Sequence, residues 1–247
     1  MDSLEEFRKI WIKKRQYPFS QFINDLIYPL RNDCKKILIY KTLKTIYQFT
    51  LLKTPALFQL YDHVQDIDQE NIPGAILEMG CWRGGAGALM AYTTEKNNSG
   101  RKTWFFDSFA GFPKLSSHDI APLTDNNRPL GKGDLYMEQK DAEEIIQKMK
   151  LKNYQIIPGW FQESLPKYKL EIGPIALLHL DCDLYESVQY CLEELYDQVS
   201  VGGYIVFDDY FTWPGSRKAL FEFIKKRDLY PAINVYPNAQ TAFLRKE

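Results

Sequence analysis

The chain is poor in the features that would commit it to several common classes. It has four cysteines in 247 residues, Cys34, Cys81, Cys182 and Cys191, with no CxxC pair and no regular spacing. That argues against a disulfide framework and against structural zinc, and points to a reducing cytoplasm. No uncharged apolar stretch approaches the ~20 residues that a spanning helix needs. Asp2, Glu5 and Glu6 stand where a secretory signal would be basic and then apolar. Neither sign of charge is in excess, because 31 Lys and Arg face 32 Asp and Glu. The resulting net charge of −1 gives no whole-chain case for nucleic acid or a membrane. Internal repeats, low-complexity tracts, a GxGxxG turn and a Ser-His-Asp or Cys-His constellation are all missing. With 45% hydrophobic residues, the length allows one α/β core and an appendage.

What is present is acid at the ends of short apolar runs. Leu177-Leu178-His179-Leu180 runs into Asp181-Cys182-Asp183, and Tyr204-Ile205-Val206-Phe207 runs into Asp208-Asp209. Runs of this kind predict buried parallel strands, and the ligand crevice of an open α/β sheet lies outside the strands' carboxyl ends. Asp181 and Asp183 share a side while the chain stays extended, whereas Asp208 and Asp209 diverge unless the strand stops there. Four carboxylates with no Lys or Arg beside them repel and raise one another's pKa unless a cation sits among them. Oxygen-only donors suit a hard ion, Mg²⁺ first, with Ca²⁺ or Mn²⁺ as alternatives. The competing reading, aspartates that merely cap the following helices, accounts for one such residue better than for four.

Residues 1–71 predict a helical extension carrying Arg8, Lys9, Lys13, Lys14, Arg15, Arg31, Lys35, Lys36, Lys41, Lys44 and Lys53 among apolar residues such as Ile37, Leu38 and Ile46. A solvated basic face is the preferred reading, with membrane or partner docking as the lesser one. Thr54-Pro55 predicts a cap and first turn for a helix to about Ile67, and Asn71-Ile72-Pro73-Gly74 marks the boundary with a core domain over 72–247. Ala75–Met79 reads as the first strand, followed by a glycine-rich turn from Gly80 to Gly87. Lys102–Asp107 reads as the second strand, and an acid at Asp107 can accept both ribose hydroxyls of an adenosyl group or serve only as a turn former.

From Ser108 to about Lys140 no periodicity is visible, which predicts a functional loop or lid. Asp141 is expected to cap the next helix, and Tyr154–Ile157 to be a third strand. Trp160 or Phe161 either stacks on adenine or belongs to the core. Helical spacing runs from Leu184 to Val199, Gly202-Gly203 closes that connection, and a helix from about Gly215 brings Arg217 and Lys218 near the acids. A hairpin around Pro237-Asn238 ends the chain, so the fold class is α/β, a mainly parallel sheet with one reversed strand.

These motifs, taken in order, resemble the macrocin O-methyltransferase (TylF-type) family of S-adenosylmethionine- and Mg²⁺-dependent sugar O-methyltransferases. The resemblance spans about Thr50 to Leu244. It is carried by Ile72 to Gly85, by Asp107-Ser108-Phe109-Ala110-Gly111-Phe112-Pro113, by Gly159-Trp160-Phe161 with Ser164-Leu165-Pro166, by Leu180 to Ser187, and by Gly202-Gly203-Tyr204 with Asp208-Asp209-Tyr210. It implies a Rossmann-like class I methyltransferase fold with a seven-stranded sheet and a C-terminal antiparallel hairpin. It implies further that Asp181, Asp208 and Asp209 hold Mg²⁺ and that Asp183 is the general base. Glu78, Met79, Gly80, Cys81, Trp82, Asp107, Ser108, Phe109 and Gly111 would line the S-adenosylmethionine site, with Thr50 and Leu51 covering it and Trp160 beside it.

A small glycosylated molecule is the implied acceptor, and a cytoplasmic homo-oligomer the implied form. Two residues depart from the pattern. Cys182 replaces a small residue, and His179 replaces an expected arginine, which makes His179 a rival base or a positioner of Asp183. The enzymatic alternative is an NAD(P)-dependent nucleotide-sugar oxidoreductase or epimerase, but its Tyr-x-x-x-Lys signature occurs only at Tyr40–Lys44 and Tyr92–Lys96, both misplaced. A non-catalytic module docked through the basic helices is the third reading, and the intact set of four aspartates argues against it.

Overall fold

Five runs rich in β-branched, aromatic and other large apolar residues form the parallel centre of the sheet. They are β1 (Ala75–Met79), β2 (Thr103–Asp107), β3 (Tyr154–Pro158), β4 (Ile175–Leu180) and β5 (Val199–Phe207). The hairpin of β6 (Asn234–Tyr236) and β7 (Thr241–Arg245) completes seven strands in the order β3-β2-β1-β4-β5-β7-β6, with β7 reversed against both neighbours. This is the expected sheet. The computed structural model describes residues 39–124, 127–236 and 238–247. The basic positions from Arg8 to Lys36, together with Cys34, Ile37, Leu38 and Pro237, lie outside the described residues.

The strand order turns back between β1 and β4, and there the register sets Met79 beside Leu180 and Leu180 beside Phe207. The carboxyl ends of β1, β4 and β5 therefore finish level, at the switch point where doubly wound sheets bind ligands. Alternation along each strand divides the core in two. Ile76, Phe105, Leu177 and Val206 face α2 (Thr54–Gln69), α3 (Gly85–Asn97) and α4 (Gln139–Met149), which contribute Leu60, Leu89 and Ile145. Leu77, Trp104, Leu178 and Phe207 face α5 (Phe161–Ile172), α6 (Tyr185–Leu195) and α7 (Pro214–Lys226), which contribute Leu165, Leu192 and Leu220. Each such side chain is worth about 2 kcal/mol when fully buried. Before α2, a short helix α1 (Tyr40–Ile46) and a 3₁₀ turn (Tyr47–Phe49) lead into an extended strap.

Three local expectations are corrected. Lys53, not Thr54, is the N-cap of α2, so Thr54 opens the helix with Pro55 in its first turn. Asp141 is the third residue of α4, where it closes a capping box: Glu138 N donates to its Oδ2 at 2.9 Å. Val199 belongs to β5, because its side chain packs in the second core cluster and pairs with Ile175. The glycine pair consequently lies inside β5, where the β4–β5 register shifts between Ile175 and Leu177 and Gly202 adopts a φ of 82°. A bulge of that kind is what interior strand glycine signals.

Candidate active site

A cavity of about 510 Å³ opens at the carboxyl ends of β1, β2, β4 and β5. Its first half begins where β1 ends. Alternation sends Glu78 under α3, where its Oε2 accepts the Gly87 N–H at 3.0 Å, and sends Met79 into the opposite core. Burial pushes the Glu78 carboxyl up, and His179 and the Gly87 N–H oppose that rise. Gly80 has a φ of 95°, and a Cβ there would overlap the Asp181 carbonyl, so only glycine lets the turn after β1 rest on the end of β4. At the end of β2, Asp107 Oδ2 accepts the Trp82 N–H and Oδ1 the Phe109 N–H, both at 2.7 Å. Asp107 is thus a turn former that also lines the cavity, and each oxygen keeps a lone pair for a ligand hydroxyl. Trp82 and Phe109 have φ values of 47° and 53°, unusual for bulky residues and held by these bonds.

The strap of Thr50, Leu51, Leu52 and Lys53 closes this half from above. Arg83 anchors it: Nη1 donates to the Gln48 carbonyl at 2.7 Å and the guanidinium lies 4.5 Å over the Phe49 ring. On the far wall Trp160 is 38% exposed, so it is not a core residue, whereas Phe161 packs partly on the second core.

In the second half, β5 stops at Phe207, which frees Asp208 and Asp209 from diverging. Carboxylate oxygens of Asp181, Asp208 and Asp209 lie within 4.8 Å of one another. Asp209 accepts the Thr212 hydroxyl and the Asp183 N–H, each at 3.0 Å. Asp183 lies in the left-handed region, with a φ of 58°. Burial first, then the neighbouring acids, hold Asp181 and Asp183 well above the usual carboxylate range and push Asp208 up to about 7. Arg217 lies over the Tyr210 ring at 5.7 Å and Lys218 meets His118 at 2.8 Å, so the two cations of α7 do not neutralise the cluster. Lys53 of the strap and His179 offset the rise at Asp208 only in part, and three close hard-oxygen donors with this much residual like charge fit a divalent cation such as Mg²⁺.

One cavity therefore collects Thr50, Leu51, Glu78, Gly80, Cys81, Trp82, Asp107, Ser108, Gly111, Trp160, Asp181, Asp183, Asp208 and Asp209. Met79 and Phe109 stand apart, with their side chains in the two core clusters. His179 is fully buried beneath the floor, its Nδ1 3.4 Å from Glu78 Oε1, out of reach of an acceptor as a base. Glu78, His179 and Asp181 form a second close triplet, but His179 is fully buried outside the cavity lining and Glu78 is held by the Gly87 N–H. Phe112, which belongs to the Asp107–Pro113 motif without a role assigned to it, also lines the cavity, as do Asp119, Trp213 and Gln240, which carried no signal in the sequence. Tyr92 and Lys96 face each other on α3, 5.3 Å apart and away from the cavity, so no oxidoreductase pair stands there. Among the described residues no helix is long and apolar enough to cross a membrane.

Comparison with known proteins agrees with this geometry. The family model described as macrocin-O-methyltransferase (TylF) matches residues 46–246. Demethyldecarbamoylnovobiocin O-methyltransferase of Streptomyces niveus is 33% identical over 185 residues, 73% of this chain and 69% of the relative. Mycinamicin III 3''-O-methyltransferase of Micromonospora griseorubida is 31% identical over 183 residues, 70% of this chain and 69% of the relative. Among solved structures, the O-methyltransferase NovP superposes with a TM-score of 0.69 at 29% identity, covering 80% of this chain and 82% of its own. The calicheamicin methyltransferase CalS11 shares the fold, with a TM-score of 0.69 at 19% identity over 93% of each chain.

Proposed function

The chain belongs to the macrocin O-methyltransferase family and is an O-methyltransferase, and from that premise we propose that it methylates a sugar hydroxyl of a small glycosylated acceptor, using S-adenosylmethionine and Mg²⁺. The observation that carries this reading is the meeting, across the Gly80–Asp181 contact, of the carboxylates Glu78 and Asp107, already bonded to backbone, with a close cluster of Asp181, Asp208 and Asp209 in which only Asp209 is so bonded. The named substrates of the relatives, demethyldecarbamoylnovobiocin and mycinamicin III, support a glycosylated natural product, with a surface glycan as the other source of such a sugar.

When bound, the cofactor supplies an electrophilic methyl group, and Mg²⁺ at Asp181, Asp208 and Asp209 supplies charge that loosens the proton of a chelating hydroxyl. The chain's own residues do the rest. Asp107 accepts ribose hydroxyls, Trp160 offers a face to adenine, and Thr50 and Leu51 in the strap of the 1–71 extension keep water from the methyl donor. Asp183 takes the hydroxyl proton; burial, the first cause of its raised pKa, makes it a stronger base than an exposed aspartate, while the repulsion of the neighbouring acids would be offset by bound Mg²⁺. Holding acceptor and donor in line is the remaining requirement, and the rigid strand ends meet it.

A mass-spectrometric screen of glycosylated acceptors with S-adenosylmethionine, with and without EDTA, tests the reading. A product heavier by one methyl group, lost with EDTA and lost in Asp183→Asn, is the expected result. Undiminished product in EDTA would remove the metal from the proposal, and methylation of no glycoside by protein that binds S-adenosylhomocysteine would remove the acceptor class.

A further inference from the structure

We infer that Asp119, in the loop that lines the cavity, is a positioning residue: it caps α6 from outside and thereby ties this loop to the turn carrying Asp181 and Asp183. This rests on the methyltransferase reading of the same cavity.

The argument starts from two uncapped helices. The N-cap residues of α6 and α7 are Leu184 and Trp213, and neither makes a side-chain cap. The first N–H groups of a helix need partners from elsewhere. Asp119 Oδ1 accepts the Tyr185 N–H at 2.8 Å across 66 residues of chain. A methyl group on Gly215, in the first turn of α7, would collide with that same oxygen and would meet the His118 carbonyl at 3.2 Å. One loop carboxylate therefore sits between the N-termini of both helices, where their dipoles favour negative charge.

The loop is built to hold it there. Asp119 Oδ2 accepts the Ser116 N–H at 3.2 Å and the Ser116 hydroxyl at 2.5 Å. The His118 ring lies 4.3 Å from that of Tyr185, and Phe112 meets Trp213 edge-on at 5.5 Å. These helices are not remote from the chemistry. One residue, Leu184, separates Asp183 from Tyr185, and Trp213 N donates to the Asp209 carbonyl at 3.0 Å. Leu184 N donates to the Cys182 carbonyl at 2.5 Å, so the metal-side turn and the start of α6 form one hydrogen-bonded unit. Withdrawal of Asp119 frees the Tyr185 N–H and loosens that unit, while the Glu78 and Asp107 side of the cavity keeps its own backbone bonds.

The test uses the full chain with three variants, Asp119→Ala, Asp119→Asn and Gly215→Ala. Hydrogen exchange at Tyr185 and Val188 is followed, with Mn²⁺ and S-adenosylhomocysteine affinities by calorimetry. In Asp119→Ala, exchange at these amides should quicken about tenfold, the size of a lost cap, and the Mn²⁺ Kd should rise about as much, with the S-adenosylhomocysteine Kd held within about twofold. Asp119→Asn, which keeps an acceptor without charge, should fall between. Gly215→Ala, which displaces Asp119 without altering it, should match Asp119→Ala, and decides the matter if the latter does not fold. Unchanged exchange and Mn²⁺ affinity in a folded variant overturn the inference, as does an equal loss of both ligands, which marks general loosening. A wild-type chain that binds neither ligand defeats the methyltransferase reading, while exchange at Tyr185 still decides whether Asp119 caps α6.

Discussion

Two pairs of strand ends in this sheet carry acids, and they are completed in different ways. At β1 and β2, Glu78 and Asp107 accept backbone N–H groups from Gly87, Trp82 and Phe109, so that half is finished by the protein itself. At β4 and β5, Asp209 has comparable support from Thr212 and the Asp183 N–H, and Asp183 has a side-chain bond with Trp213. Asp181 and Asp208 are raised by burial and by the neighbouring acids, Asp209 and Glu78 among them, and the charges of His179 and Lys53 offset the rise at Asp208 only in part. The difference lies in the following turn. The glycine-rich turn after β1 offers the Gly87 N–H to Glu78 and the Trp82 N–H to Asp107, and the turn after β2 adds the Phe109 N–H, whereas the Asp-Cys-Asp and Asp-Asp-Tyr turns offer more carboxylate. A strand-end acid is therefore a scaffold or a ligand according to its neighbours, and the two halves should fail differently.

The largest contrast comes from the half that lacks internal partners. Asp181→Ala and Asp208→Ala should each lower methyl transfer by about 10³-fold, the scale of metal charge stabilisation, with S-adenosylhomocysteine affinity within about twofold. Turnover assays beside calorimetry check this, and equal loss of both would erase the distinction between the halves. Next comes the converse. Asp107→Ala removes charge-assisted bonds worth about 1.5–3 kcal/mol each, so cofactor affinity should fall about 10²-fold while Mn²⁺ still binds. Loss of Mn²⁺ affinity in this variant would show that the first half scaffolds the second.

Stability against pH sharpens the comparison further. Burial and the neighbouring Asp209 push the Asp208 carboxyl up to about 7 in the fold, against about 3.9 when unfolded. A folded pKa raised in this way gives stability that is complete below the unfolded value and is lost as pH rises through the folded one. Metal-free protein should therefore lose several degrees of Tm between pH 5 and pH 8, and Mg²⁺ or Ca²⁺ should restore more at pH 8 than at pH 5. A flat Tm profile without metal, or equal rescue at both pH values, would mean the acids are relieved by something other than a cation.

How legible these halves were in the sequence follows from the same physics. Strands ending in acids announce themselves, because an apolar run must be buried and a carboxylate must not be. That is why the parallel sheet and the meeting of Asp107, Asp181, Asp183, Asp208 and Asp209 could be expected. What stayed hidden depends on long-range contact. Asp119 lies in a stretch without periodicity, and its role is set by a bond to Tyr185 from the other side of the cavity. Val199 fitted the helical spacing of α6 equally well, and only the tertiary pairing with Ile175 made it a strand residue. His179 stands where the resemblance implies an arginine and so reads as a rival base or a positioner of Asp183, whereas alternation and burial put it against Glu78.

The smallest effect is expected under the sheet, at a residue of opposite sign. His63 of α2 is buried, stacked 4.1 Å from Tyr204 and edge-on to Phe243 at 4.6 Å. Neither of its ring nitrogens meets a hydrogen-bond partner among the described residues. Burial, with the charges of His179 and Arg245, lowers its pKa to about 3. Its unfolded value is about 6.5, so the folded state resists the proton: its contribution is present above that value and drains away as pH falls toward the folded one. Between pH 7 and pH 4.5 this amounts to about 2 to 3 kcal/mol. His63→Phe keeps a ring in the stack and removes the titration, so its denaturant stability should decline less than the wild type's over that interval, whatever the larger ring costs in packing at every pH. Cofactor and Mn²⁺ affinities should be unchanged, since His63 touches neither half of the cavity. Parallel stability curves for the two proteins would mean that His63 is protonated or water-bonded in the native state, and the acid limb would then belong to other groups.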